Sequence, residues 1–261
     1  MLILLSQQME VINMDNIKII KDYAKKLGLA NLLEEEFDSF VVPNDGYRFM
    51  AECLENEYLY RNQKAKERRI KQARIPAYKT FGEFDSDFQP SVSRDQLNTL
   101  SNLNWVDNIY NLILLGPPGT GKTHIALAIG NKALEMGYKV FFCSMDTLIH
   151  ILKTHEISRA SAARLNYIKK CHLLIIDELG YLPIDKIETN MFFQLISYLY
   201  EHTSVVITSN KGFDGWADLL GDTVLATALL DRLTYKCQVI SLSGDSYRLA
   251  HRQNIFKEQQ N

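Results

Sequence analysis

Apolar residues follow two different patterns along this chain. In the N-terminal third they recur at three- and four-residue spacing, as at Ile17, Ile20, Tyr23, Ala24 and Leu27, which is typical of amphipathic helices. Further on, short apolar runs alternate with helical patterns, which is typical of parallel strands covered by helices. The sequence therefore predicts a small helical N-terminal domain followed by an α/β domain with a parallel sheet.

The N-terminal domain is predicted over residues 1–75 and reads as helical from residue 15 onward. Its first helix ends at Gly28, because glycine favours helix C-termini. A second helix is predicted over residues 46–73, after a turn that contains proline and glycine. Pro76 prevents this helix from continuing.

A connector is predicted over residues 76–104. It carries Phe81, Phe84 and Phe88 among acidic residues, and these aromatic side chains are expected to pack. We expect Phe84 and Asp85 to fix the connector against the α/β domain. The remaining boundaries are residues 105–250 for the α/β domain and 251–261 for a C-terminal tail.

The α/β domain is predicted to contain five strands, each followed by a helix before the next strand begins. Asp146 is the predicted N-cap of the helix after the second strand. The predicted strands are residues 111–115, 139–143, 173–177, 204–209 and 238–242, and the predicted helices include residues 96–103, 147–153 and 188–202.

The composition is that of an ordinary globular protein. The chain has 261 residues, of which 46% are hydrophobic and 23% charged. Its net charge of −2 means that any nucleic-acid surface must come from local clusters of basic residues. The cysteines are widely spaced and no apolar run reaches the length of a membrane span, so we expect reduced thiols, a cytoplasmic location and no membrane partner. Either Met1 or Met14 could be the native start.

A phosphate-binding motif stands between the first strand of the α/β domain and the next helix. The residues GPPGTGKT fit the pattern GxxxxGK[ST] at every fixed position. Glycines allow the loop to curl around a phosphate, while the lysine reaches the β- and γ-phosphates and the threonine hydroxyl ligates Mg²⁺. The alternative is a glycine turn that merely precedes a helix. The predicted ATP-binding residues are Gly116, Pro117, Pro118, Gly119, Thr120, Gly121, Lys122, Thr123 and His124, with Thr123 also a metal ligand and Lys122 also catalytic.

Two carboxylates end the third predicted strand. Ligands of open α/β sheets bind at the carboxyl ends of the strands. Asp177 is therefore predicted to hold Mg²⁺ and Glu178 to polarise the water that attacks the γ-phosphate. Asn210 ends the next strand and is predicted to orient this water or contact the γ-phosphate; the alternative is a turn residue.

Two arginines near the C-terminus are further catalytic candidates. Arg232 and Arg248 could each neutralise charge that develops on the phosphate, one of them from a neighbouring subunit. The alternative for Arg232 is a structural pair with Asp231 or Asp222.

A dense basic run near the end of the second helix predicts contact with an anion. Like charges at this density repel one another on a helix, and DNA phosphate is the natural counterion. The alternatives are a solvated helix face or pairing with the acidic residues 34–36. The polar stretch 155–170 is either a second substrate-facing edge or an exposed helix. The DNA-binding candidates are Lys64, Lys66, Arg68, Arg69, Lys71, Arg74, Arg159 and Arg164.

Several motifs together resemble those of IstB-type transposition helper ATPases, which belong to the DnaC/DnaI-like clade of AAA+ proteins. They are GPPGTGKTHIALAI, DELGY at residues 177–181, TSN at 208–210, DRL at 231–233 and GDSYR at 244–248. The resemblance implies a three-layer α/β/α fold with strand order 5-1-4-3-2. It also implies that Asn210 is the sensor-one residue, Arg232 the arginine finger acting in trans on the adjacent subunit, and Arg248 the sensor-two residue.

The resemblance further implies a function. Proteins of this type self-assemble on double-stranded DNA with ATP and deliver target DNA to a transposase, which favours DNA contact by the basic residues named above. One alternative is a DnaC/DnaI-like loader that binds a replicative helicase and single-stranded DNA. Another is a nucleotide-dependent scaffold that barely hydrolyses ATP.

Overall fold

The computed structural model describes residues 2–29, 44–180 and 184–252. The chain divides into two compact units, Met1–Arg68 and Arg69–Asn261. Residues 34–36, proposed above as partners of the basic run, lie outside the described residues, as do Pro43 of the predicted turn and most of the C-terminal tail. None of the described helices is long and apolar enough to cross a membrane.

The N-terminal unit is built from helices, as predicted. Helix α1 spans Leu2–Leu27 and helix α2 spans Asn44–Ala73, and Ile20, Tyr47 and Ala51 form a small buried cluster within the unit. Both helices begin earlier than predicted.

Helix α2 ends three residues before Pro76. Arg74 takes a left-handed conformation with φ 56°, and Ile75 is kept out of the helical region because it precedes proline. The helix therefore stops at Ala73, as predicted, although Pro76 acts through its neighbour.

The second unit alternates strands and helices. Its elements are a 3₁₀ turn (Phe81–Glu83), α3 (Arg94–Ser101), α4 (Asn104–Asp107), β1 (Asn111–Leu115), α5 (Lys122–Glu135), β2 (Val140–Ser144), α6 (Met145–Thr154), α7 (Arg159–Ile168), β3 (Leu173–Leu179), α8 (Lys186–Leu199), β4 (Ser204–Ser209), α9 (Phe213–Leu219), α10 (Thr223–Thr234), β5 (Cys237–Ser241) and α11 (Tyr247–Ala250).

The strands form one parallel sheet in the order β2-β3-β4-β1-β5. Read from the other edge this is 5-1-4-3-2, so the predicted fold is confirmed. In the inner strand β1, Ile113 packs into the apolar layer on one face, whereas Leu112 and Leu114 pack into the layer on the other. This alternation along the strand, with helices on both faces, gives the three-layer α/β/α fold.

Element boundaries differ from the prediction mainly where side chains cap helices. The cap of α6 is Ser144, whose Oγ accepts the N–H of Thr147 at 3.2 Å, so the prediction of Asp146 as N-cap is wrong. Asp146 lies in the first turn instead, where its charge still favours the helix dipole. Helix α3 likewise begins at Arg94, two residues early, because Ser93 and Gln96 form a capping box.

Candidate active site

The loop between β1 and α5 is shaped by three glycines. Gly116, Gly119 and Gly121 have φ values of 145°, 83° and 97°, a region that L side chains rarely adopt. The space around them is also closed: a Cβ on Gly116 would lie 2.1 Å from the carbonyl oxygen of Leu242, and one on Gly121 would lie 2.6 Å from the ring of Phe84. Glycine is therefore required at these positions by both backbone and packing.

Lys122 begins α5 and lies folded across the loop. Its Nζ donates to the carbonyl oxygens of Gly116 at 2.6 Å and Pro117 at 2.7 Å. Burial lowers the pKa of this ammonium, the nearby Asp177 carboxylate opposes the shift, and the charge of Arg248 adds to it. A polyphosphate would relieve this desolvation by supplying negative charge in place of the two carbonyls.

Two hydroxyl groups meet the carboxylate of Asp177, which is 8% exposed. Thr123 Oγ1 donates to Oδ1 at 3.0 Å, and Thr208 Oγ1 donates to the same oxygen at 2.6 Å. Glu178 differs from its neighbour, since its side chain is exposed and its backbone is left-handed with φ 62°. The structure thus brings the metal candidates Thr123 and Asp177 together.

A cavity of about 790 Å³ opens beside the loop. It brings together most of the predicted site, since Lys122, Glu178, Asn210 and Arg248 all line it. Also lining it are Pro118, Gly119, Thr120, Gly121, Thr123 and His124 from the predicted site, and Lys79, Phe84, Phe88, Gln89, Thr208 and Tyr247, which the sequence analysis did not place there.

The connector contacts the phosphate loop directly. The Phe84 ring meets His124 edge-on, with centroids 5.6 Å apart, and His124 Nε2 lies 2.9 Å from the carbonyl oxygen of Thr80. Gln89 Nε2 donates to the carbonyl oxygen of Thr120 at 3.1 Å. Phe84 therefore packs as predicted, whereas Asp85 accepts backbone N–H groups within its own turn.

The C-terminal segment contacts the loop from another side. The Tyr247 N–H donates to the carbonyl oxygen of Gly119 at 3.1 Å, and the Tyr247 ring packs edge-on against Phe88 and stacks on His251. Arg248 follows directly and lines the cavity. The hydrogen bond to the loop thus brings this arginine to the site.

Arg232 lies on helix α10, away from the phosphate loop. Together with Asn111 and Val205, at the amino ends of β1 and β4, it lines a smaller cavity of about 130 Å³. Its Nη1 donates to the carbonyl oxygen of Ala228 at 3.1 Å, and its guanidinium lies 4.6 Å from the centre of the Phe193 ring. Arg232 is therefore outside the nucleotide-side cavity of its own chain.

Asp222, one of the two alternative partners of Arg232, has other contacts in the structure. Asp222 caps α10, accepting the N–H groups of Val224 at 3.0 Å and Leu225 at 3.1 Å.

The basic candidates differ in exposure. Lys64 is paired with Glu67 at 3.0 Å, and Arg69 is partly buried with an Nε that has no hydrogen-bond partner. Arg164 is also partly buried. Six of the candidates are exposed, namely Lys64, Lys66, Arg68, Lys71, Arg74 and Arg159.

The sheet order, the phosphate loop and the paired carboxylates define a P-loop nucleotide-binding protein with the AAA+ fold. The crystal structure of DnaI superposes with a TM-score of 0.54 at 22% identity, covering 68% of this chain and 93% of that one. At this identity the likeness supports the fold alone.

Residues 25–255 match the family of IstB-like ATP binding proteins, and the chain belongs to this family. It is 39% identical over 237 residues to an insertion sequence IS21 putative ATP-binding protein of Pseudomonas aeruginosa, covering 90% of this chain and 89% of the relative. It is also 39% identical over 201 residues to an insertion sequence IS5376 putative ATP-binding protein of Geobacillus stearothermophilus, covering 77% and 80%.

Proposed function

We propose that this protein is a Mg²⁺-dependent ATPase that assembles on double-stranded DNA and assists a transposase in target selection and insertion. The observation that carries the proposal is the convergence of Lys122, Thr123, Asp177 and Glu178 at the mouth of the phosphate loop. Each supplies a different part of phosphoryl transfer, and the lining of one cavity by Lys122, Thr123 and Glu178 favours hydrolysis over simple nucleotide binding.

The residues present fit a magnesium ion. Thr123 and Asp177 offer oxygen atoms only, which Mg²⁺ prefers, and these oxygens lie 3.0 Å apart. Among the described residues no three His, Cys, Asp or Glu side chains gather as a metal site. Such a site fits Mg²⁺, which is commonly held by few protein oxygens together with the phosphates of the substrate. The bound ion would neutralise the negative charge of these phosphates.

The chain's own residues then divide the remaining work. The loop N–H groups and Lys122 bind the phosphates. Glu178 takes a proton from water while the water oxygen bonds to the γ-phosphorus and the bond to the bridging oxygen of ADP breaks. Asn210 orients this water, and Arg248 neutralises charge on the departing phosphate.

Assembly is proposed to complete the site. Arg232 lies at the amino ends of the strands, whereas the phosphate loop follows the carboxyl end of β1. An arginine so placed reaches a phosphate only in an adjacent subunit, which supports its role as an arginine finger in trans.

The experiment that tests the ATPase is Glu178→Gln. The glutamine side chain keeps the size of the cavity but cannot take the proton from water, so turnover should fall by about 100-fold or more while ATP affinity stays close to wild type. On duplex DNA the variant should remain as an ATP-bound oligomer. Normal turnover in this variant would contradict the assignment of Glu178 as the general base. Preference for single-stranded DNA with capture of a helicase would favour a loader instead.

The DNA surface is tested by a pair of double variants. Arg68→Gln with Lys71→Gln should weaken duplex binding and reduce the slope of log affinity against log salt by about 2, since each phosphate contact contributes about 0.9. Lys139→Gln with Lys186→Gln removes the same charge from other exposed positions. Equal slopes for the two double variants would indicate that the basic run is a solvated helix face.

A further inference from the structure

Strands β3 and β4 contain a bulge where the active site begins. Their register shifts between Ile176 and Leu179, so that Asp177 and Glu178 of β3 face the single residue Thr208 of β4. A bulge of this kind leaves one residue without ladder partners and re-aims its side chain. Here the residue without a ladder partner is the proposed general base.

The hydroxyl of Thr208 fills the gap in the ladder. It donates its proton to Asp177 Oδ1 at 2.6 Å and accepts the backbone N–H of Glu178 at 2.9 Å. The side chain is 1% exposed, so water does not compete for these bonds. One hydroxyl therefore ties the carboxylate of one acidic residue to the backbone of the next.

Glu178 needs this support because its backbone is left-handed, with φ 62°. Such a conformation is unfavourable for a residue with a Cβ, and it persists only where neighbours fix it. The same conformation directs the Glu178 side chain into the cavity that Lys122 and Thr123 line. The hydrogen bond from the Glu178 N–H to Thr208 therefore also fixes the direction in which the Glu178 carboxylate points.

We propose that Thr208 is a positioning residue for ATP hydrolysis: its hydroxyl fixes Glu178 for attack by water and Asp177 for the cation. The proposal rests on the ATPase function proposed above. Although Thr208 lines the cavity, both hydrogen bonds of its hydroxyl go to the two acidic residues, and in this role it acts through them. A serine can make both hydrogen bonds, whereas a valine of nearly the same shape can make neither.

The test compares Thr208→Val with Thr208→Ser and with a matched control in the same strand region. Thr203 is 4% exposed, and its hydroxyl donates to the carbonyl oxygen of Cys171 at 3.0 Å. It precedes β4 at the end away from the cavity. Thr203→Val therefore removes a buried threonine hydroxyl without touching the site, and urea unfolding of all variants checks that they fold.

Steady-state ATPase assays give the main result. We expect Thr208→Val to lower kcat by about 10-fold or more with KM for ATP changed less than about 3-fold, because ground-state phosphate binding does not use the hydroxyl. Thr208→Ser should restore most of kcat, and Thr203→Val should resemble wild type. Unchanged kcat in Thr208→Val, a serine variant as slow as the valine variant, or an equal loss in Thr203→Val would each overturn the proposal. If Thr208→Val does not fold, Thr208→Ala takes its place in the same comparison.

A second measurement separates this proposal from the ATPase itself. Binding of a fluorescent ATP analogue is titrated with Mg²⁺, and Thr208→Val should raise the Mg²⁺ concentration needed for half of the affinity gain by about 3-fold or more, because Asp177 is no longer held. If wild type turns over no ATP, the ATPase proposal and the role of Thr208 in hydrolysis fail together, while this titration still decides whether Thr208 positions Asp177 for the cation. A midpoint equal to that of wild type would then reject it.

Discussion

Gly119→Ala tests whether the phosphate loop depends on the segment that follows β5. A Cβ at this position would lie 2.0 Å from Ser246 Oγ, 2.8 Å from Ser246 Cβ and 3.1 Å from Ser246 Cα. Carbon atoms pack favourably at about 3.5–4.0 Å, so Ser246 must move by more than a side-chain rotation can supply. Its neighbour Tyr247 would then lose the hydrogen bond that its N–H donates to the Gly119 carbonyl oxygen.

Gly137→Ala is the control that separates the backbone contribution to the loss of stability from the contribution of the contact with Ser246. Gly137 has φ 92°, similar to the 83° of Gly119, but a Cβ there would meet nothing within 4 Å. Both variants carry the backbone penalty of about 1–2 kcal/mol. Only Gly119→Ala adds the clash and the lost hydrogen bond, which contributes about 1 kcal/mol, so its free energy of unfolding should fall further by about 1 kcal/mol or more.

Urea unfolding and titration with a fluorescent ATP analogue measure the two effects. We expect Gly119→Ala to lose nucleotide affinity by about 10-fold or more, as displacement of loop and C-terminal segment together costs about 1.4 kcal/mol or more, while Gly137→Ala keeps it. Adding Ser246→Gly to Gly119→Ala removes the two nearest atoms and should restore part of the affinity. Equal affinity in wild type and Gly119→Ala would refute the argument that this contact shapes the site.

Three further results are expected. Burial lowers the pKa of Lys122 below 10.5. Because the neutral amine no longer attracts phosphate, ATP affinity should fall as the pH rises through that lowered pKa. In binding titrations Lys122→Arg, which stays charged, should remove this fall. Arg232→Ala should leave nucleotide binding by the monomer unchanged but abolish stimulation of the ATPase by assembly; unchanged stimulation would indicate a structural arginine. Burial also lowers the pKa of His172, whose neutral ring accepts the Lys139 N–H on Nδ1 at 3.0 Å. Because the folded state disfavours the protonated ring, the free energy of unfolding should decrease as the pH falls below 6.5. His172→Asn, which can accept through its amide oxygen, should flatten this dependence in urea unfolding.

The sequence predicts the phosphate loop and the acidic pair because their signals are local. Glycine spacing, the lysine that follows and a carboxylate after an apolar strand are all read within a few neighbouring residues. The strand order is not local in the same way, and it followed from the resemblance to a family. The structure then confirmed it through the pairing of β1 with both β4 and β5.

The role of Thr208 could not be predicted from the sequence, because it depends on strand register. Its partner Asp177 is 31 positions away, and the bulge that pairs one residue of β4 with two of β3 leaves no mark in the pattern of either strand. A hydroxyl inside the apolar run SVVITS was the available signal. It also fits an ordinary strand, since threonine is common in sheets. Only the register distinguishes the two interpretations.

The phosphate loop is held by two segments that are far apart in the chain. Gln89 of the connector donates to Thr120, and Tyr247 of the C-terminal segment donates to Gly119. A ligand that changes the loop conformation must therefore change the free energy of both contacts. By linkage, if nucleotide binding changes the affinity for a partner that contacts the connector or the C-terminal segment, this partner changes the affinity for nucleotide by the same factor. The loop is thus placed to couple nucleotide binding to assembly, a coupling that a loop held only by its own strand and helix would lack.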